Sequence, residues 1–241
     1  MDFRTIQAVE LAGGVGILTL NRPERRNALS VEMRREIMTC MGKWRESPTV
    51  GVMIITGAGE AFTAGFDLTE FSRPELYSEI FETSSAYHRE LWNFPKPTIA
   101  AVNGPALAGG FDLAKLCDIR ICSPKAVFGH PEIKFGIPPL MTPLRWIIGE
   151  GPARHLCLTG KRVDAMEAFR IGLVSEVVDA EKLLERAVKI ATEILETPLE
   201  ALKRTKQLMI GVTGLGFEES FCMEHDRIFQ EYLLKKASES A

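Results

Sequence analysis

Cysteine at metal-ligand spacing is missing from these 241 residues, histidine is scarce at four, and apolar runs are short. The five cysteines, Cys40, Cys117, Cys122, Cys157 and Cys222, are scattered and odd in number. That excludes a disulfide framework and a CxxC site and predicts buried free thiols. The histidines show no ligand spacing, so no metal is assigned. The longest apolar stretches, such as "VGVMII" at 50–55, fall far below the ~20 residues that cross a bilayer, and no apolar signal core opens the chain. A soluble, cytoplasmic protein with no membrane partner is expected. A basic surplus is also lacking: the net charge is −3 and no basic stripe carries interleaved aromatics, which argues against nucleic acid as a partner.

With 46% hydrophobic and 25% charged residues, the composition is that of a globular domain, here one domain with an appendage. "FRTIQAVELAGGVGILTLNRP" alternates apolar and polar residues on both sides of Gly13 and Gly14 and reads as a hairpin. A dinucleotide loop there is excluded, because "GILTL" continues as a strand where a helix would have to begin. Met33, Ile37, Met41 and Trp44 share one face of a helix capped by Ser30. "VGVMIITG" then reads as a buried strand, Leu76–Trp92 as a helix, and "PTIAAVNG" and "CDIRICS" as strands. That alternation gives an α/β fold with a mostly parallel sheet. Past Gly149 helices dominate, including "AEKLLERAVKIATEILE", one from Pro198 to about Ile210, and one from Phe217 to about Lys235. The last carries Phe217, Phe221, Ile228 and Tyr232 on a stripe interrupted at Glu224.

Two places share a design of buried strand, small-residue turn and acid: "MIITGAGEAFTAGFDL" and "AAVNGPALAGGFDLA". Small residues let a ligand oxygen approach main-chain N–H groups, and two such groups aimed at one point form an oxyanion hole.

"NRPERRNAL", "AFTAGFDL", "AAVNGPALAGGFDLAKLCDIRI", "FGHPEIKFGI" and "GLVSEVV" resemble, in order and spacing, the motifs of the enoyl-CoA hydratase/isomerase (crotonase) family. The resemblance implies a crotonase-like spiral of ββα repeats over residues 1–195, and a helical C-terminal region over 196–241 that assembles a homotrimer or a hexamer of paired trimers. It implies an acyl-CoA substrate, with coenzyme A belonging to the substrate and no further cofactor. It carries the oxyanion hole to the N–H groups of Phe66 and Gly109. The two family glutamates correspond to Glu132, as general base or acid, and to Asp112, which is one methylene shorter. Coenzyme contacts fall on Arg25 or Arg26 and on backbone around Ala28, Ala64, Asp67 and Leu68. The segment from Ser72 to Trp92 is expected at the acyl end.

A second departure from the family is "FGIPPLMTPLRWIIG", where Pro138, Pro139 and Pro143 offer no N–H and Leu140 and Met141 add apolar bulk. The resemblance points first to reversible hydration of a 2-enoyl-CoA, with double-bond isomerisation by Glu132 alone, hydrolysis or decarboxylation of a specialised acyl-CoA, and a non-catalytic acyl-CoA-binding scaffold as the alternatives.

Overall fold

The structure, a computed structural model, describes residues 2–239. The chain divides into two compact units, with the boundary between Thr197 and Pro198. Among the described residues the first unit holds strands β1 (Ile6–Leu11), β2 (Val15–Leu20), β3 (Val52–Gly57), β4 (Thr98–Val102), β5 (Ala106–Leu107), β6 (Ile119–Cys122), β7 (Val127–Gly129), β8 (Val163–Asp164) and β9 (Glu176–Val177). They form one sheet of order β1-β2-β3-β4-β6-β9 and a second of order β5-β7-β8. The predicted hairpin is β1–β2, and from β2 to β9 every pairing in the large sheet is parallel.

The crossovers are α1 (Val31–Glu46) between β2 and β3 and α2 (Tyr77–Trp92) between β3 and β4. Ser30 starts α1 as predicted, its hydroxyl accepting from the Met33 N–H at 3.1 Å. Next come α3 (Gly109–Leu116), α4 (Leu144–Ile148), α5 (Glu150–Thr159), α6 (Ala165–Arg170) and α7 (Leu183–Leu195). Successive strand residues point to opposite faces, so Val52 and Ile54 pack with Ala187 and Ile190 of α7. Met53 and Ile55 join the cluster of Met33, Ile37, Met41 and Trp44. Each fully buried aliphatic side chain contributes about 1.5–3 kcal/mol, which fixes the register of β3 against slippage. Four cysteines are buried and Cys222 is exposed.

The second unit contains α8 (Leu199–Gly211), α9 (Phe217–Phe221) and α10 (Ile228–Glu239). One continuous helix was expected from Phe217 onward; instead a wider π-type turn spans Cys222–Arg227. The turn falls where Glu224 interrupts the apolar stripe, and Phe221, His225 and Phe229 stack through it at 4.7 and 5.3 Å.

Among the described residues no helix is long and apolar enough to cross a membrane.

Candidate active site

β3 and β4 lie side by side and parallel, with Ile55 opposite Ala100, so the chain leaves both at the same edge of the sheet. The two glycine turns follow from there and meet. Gly65 has φ +96°, and a Cβ on it would stand 2.8 Å from the Leu107 carbonyl and 3.1 Å from the Gly109 nitrogen. A Cβ on Gly109 would reach the Phe66 ring at 3.0 Å. Gly65 can only be glycine, and a side chain on Gly109 would have to displace the Phe66 ring. Leu29 bonds to the residues flanking Phe66, donating to the Gly65 carbonyl at 2.8 Å and accepting from the Asp67 N–H at 3.4 Å. In a parallel bridge the middle residue's own N–H therefore points away from Leu29. The Gly109 N–H opens α3, where a first-turn donor has no partner within the helix. Ala108, just before it, is held at φ 49°, ψ −125°, a conformation that disfavours any residue with a Cβ.

Asp112 lies one turn into α3 and is buried. Its Oδ1 is 2.8 Å from the Lys115 ammonium, in ion-pair contact without hydrogen-bond direction, and 3.9 Å from Nε2 of His130. Its Oδ2 is 3.9 Å from Nε2 of His88 on α2. Burial pushes the Asp112 carboxyl up, but the neighbouring His88 and the Lys115 ammonium outweigh it and hold the group below the usual carboxylate range. Lys115, fully buried, also contacts Nε2 of His130 at 3.1 Å and donates to the Leu140 carbonyl. An ammonium only donates, so Nε2 of His130 accepts and Nδ1–H donates to Oε1 of Glu132 at 2.7 Å. One polar chain thus joins the two carboxylates: Asp112, Lys115, His130, Glu132. Among the described residues the buried side-chain polar atoms lacking a hydrogen-bond partner are Oδ1 of Asp112, Oε2 of Glu132, Nε2 of His88 and the Tyr87 hydroxyl. All belong to this cluster or adjoin it.

In the proline-rich segment Met141 packs against the core as expected, and Leu140 departs from the expectation. The Leu140 side chain is 40% exposed, and its carbonyl is the group that reaches inward.

The expected coenzyme segments are also brought together, the Ala64 N–H donating to the Arg26 carbonyl at 3.0 Å. Arg25, Arg26, Ala64 and Leu68 are exposed and Ala28 is half-buried. Asp67 is buried and paired with Arg22 at 2.9 Å. Burial raises its carboxyl, yet hydrogen bonds from Thr69 and Arg22 hold it below the usual range. The Ala28 carbonyl already accepts from Arg22 and from the Ser30 N–H. Asn27, at φ 54°, pins the turn by donating to the carbonyls of Ala58, Ala61 and Phe62.

Reading residues alone overlooked His88, Lys115, His130, Arg22 and Asn27. Lys115 left a signal: it stands three residues after an acid in the otherwise apolar "GGFDLAKL". The histidines carry no such signal, and among the described residues no three His, Cys, Asp or Glu side chains are placed to hold a metal.

Comparison with known proteins gives a consistent result. The profile described as enoyl-CoA hydratase/isomerase matches residues 10–238. A short-chain-enoyl-CoA hydratase of Clostridium acetobutylicum is 38% identical over 205 residues, covering 83% of this chain and 78% of its own. A hydroxycinnamoyl-CoA hydratase-lyase of Pseudomonas fluorescens is 34% identical over 242 residues, covering 96% and 84%. The crystal structure of an enoyl-CoA hydratase from Bacillus anthracis superposes with a TM-score of 0.88 at 30% identity, covering 97% of both chains. Matches of this extent carry fold and ancestry together, and the chain belongs to the enoyl-CoA hydratase/isomerase family.

Proposed function

We propose that the protein catalyses the reversible hydration of a 2-enoyl-CoA. The observation that carries this reading is the pair of buried atoms without hydrogen-bond partners, Oε2 of Glu132 and Nε2 of His88, gathered with Asp112 in one cluster. Buried polar atoms without partners are costly, and a bound substrate and water would complete their hydrogen bonding. In the proposed reaction the N–H groups of Phe66 and Gly109 hold the thioester oxygen and stabilise the enolate, each donor being worth about 3 kcal/mol. Oε1 of Glu132 is committed to His130, which leaves Oε2 to take a proton from the attacking water. Asp112 assists as an anion beside it.

The relatives' names supply the substrate class, a CoA thioester. The coenzyme portion is assigned to Arg25 or Arg26 and to backbone around Ala28, Ala64, Asp67 and Leu68, with no further cofactor. Exposed Phe217, Phe221, Phe229 and Tyr232 favour assembly through the C-terminal unit, as a homotrimer or a hexamer. Unpaired, mostly buried thiols suit the cytoplasm.

One observation favours a second reading. The Lys115 clamp on Asp112 leaves Glu132 as the carboxylate free to carry a proton, which suits double-bond isomerisation. Product analysis with 2- and 3-enoyl-CoAs in ¹⁸O- and deuterium-labelled water separates the two. Oxygen at the β-carbon is expected for hydration. Deuterium exchange with no added oxygen would replace hydration by isomerisation, and no acyl-CoA binding at all would end the enzymatic reading.

A further inference from the structure

The polar cluster contains one group that the hydration scheme leaves idle. His88 sits on α2, at the end where the acyl group is expected, with its ring about one-fifth exposed and Nε2 buried without a hydrogen-bond partner. Nδ1 lies 2.7 Å from the Ser84 carbonyl, which only accepts, so Nδ1 carries a proton and Nε2 is the nitrogen left to exchange one. That nitrogen faces Oδ2 of Asp112 at 3.9 Å. The ring stands edge-on to Phe66, with centroids 6.0 Å apart, and so adjoins the residue whose N–H is assigned to the thioester oxygen. The other charged or titratable groups around it are Tyr87 beside it on α2, Lys115 with Asp112 on α3, His130 and Glu132 beyond them, and Arg34 of α1 across the Phe66 ring at 4.6 Å.

We propose that His88 is a third catalytic residue, a general acid–base group that touches the acyl chain, with Asp112 as its fixed anionic partner. This rests on the enoyl-CoA reading above and reassigns Asp112. Held against Lys115, Asp112 stays a carboxylate and orients the imidazole in place of moving protons itself.

The steps balance as follows. The water oxygen bonds to the β-carbon while one of its protons passes to Oε2 of Glu132. The π pair of the double bond moves onto the thioester as an enolate. The enolate collapses, the α-carbon takes the Nε2 proton of the His88 imidazolium, and the N–H pair remains on Nε2. Glu132 then releases a proton and His88 takes one up, so that one water has been added in sum.

His88→Gln and His88→Asn test this in the full chain beside the wild type. The expected result is a kcat at least about 100-fold lower with KM within about threefold, and loss of the imidazole limb from the pH profile of kcat. A merely structural role would lower thermal stability and leave that limb in place. A kcat within threefold of wild type, with an unchanged profile, overturns the proposal. Nitrogen-15 imidazole spectra give a readout free of turnover: the Nδ1–H form is expected, with the Nε2 signal shifting when butyryl-CoA is added. A ring lacking the proton on Nδ1, or an Nε2 signal indifferent to butyryl-CoA, overturns it as well. A wild-type protein inert toward every enoyl-CoA ends the hydration reading, and those spectra then decide the role of His88 alone.

Discussion

The Lys115 ammonium lies 2.8 Å from Oδ1 of Asp112, three residues earlier on the same helix, and both side chains are buried. A buried pair of this kind adds little over an apolar pair of the same shape, but breaking it leaves a charge in a medium that cannot solvate it. Lys115→Met is therefore expected to destabilise the first unit by about 3–5 kcal/mol at pH 7. Lys115→Met with Asp112→Asn should recover much of that loss. Equal losses in the single and double variants, read from urea midpoints, would show that the pair is not coupled.

The same pair sets the sign of a pH effect. In the wild type the Asp112 carboxyl is held low against the pull of burial, so its unfolded value, about 3.9, lies above the folded one. The stabilisation is complete above that unfolded value and is lost as the pH falls through the folded value. Without Lys115 burial is opposed by His88 and not by an ammonium, so the folded value rises and protonation relieves part of the penalty. The deficit of Lys115→Met should narrow as the pH drops from 7 towards 5. A deficit that widens over this range contradicts the assignment.

Gly65 keeps the two turns together, because its φ of +96° and the 3.1 Å between an added Cβ and the Gly109 nitrogen leave no room for a side chain. Gly65→Ala should cost about 1–3 kcal/mol in stability through backbone strain. The larger effect falls on catalysis. A shift near 1 Å between the Phe66 and Gly109 amides is expected to lower kcat about 100-fold. Turnover unchanged in a folded Gly65→Ala protein would remove these amides from the mechanism.

Burial also predicts thiol reactivity. Burial pushes the thiols of Cys40 and Cys122 up to about 12 and raises that of Cys157, while Cys117 donates to the Leu113 carbonyl at 3.5 Å. The thiolate is the reacting form, so at pH 8 only the exposed Cys222 should react promptly with an aromatic disulfide reagent. One fast thiol in the native protein and all five in urea is the expected count. Two or more fast thiols would mean that the core opens readily.

What the sequence disclosed depended on length and period. β3 and β4 are continuous apolar runs, and α1 carries its stripe at spacings of four, four and three, so burial alone identified them. The second sheet is built from β5, β7 and β8, at two or three residues each, and so short a run has no measurable period. Among the site residues, Glu132 and Asp112 were legible through motif order, whereas His88, 24 residues before Asp112, meets it only because α2 packs beside α3. The π-type turn at Cys222–Arg227 was foreshadowed by the break in the stripe at Glu224, but a polar residue on a stripe does not say how the backbone responds.

Glu132 decides between an enzyme and a scaffold. Its carboxylate is held at one oxygen by the Nδ1–H of His130, while the other is buried and unpartnered. Glu132→Gln retains an oxygen that accepts from His130 and nearly the same volume, so the fold and acyl-CoA affinity should change little. The amide nitrogen, however, has no lone pair available to take a proton from water. A fall in kcat of at least about 100-fold is expected, with KM within a few-fold of wild type. If Glu132→Gln hydrates enoyl-CoA as fast as the wild type, the proton leaves by another route, and the bond between His130 and Glu132 reverts to a structural tie between β7 and the turn at Pro131–Phe135.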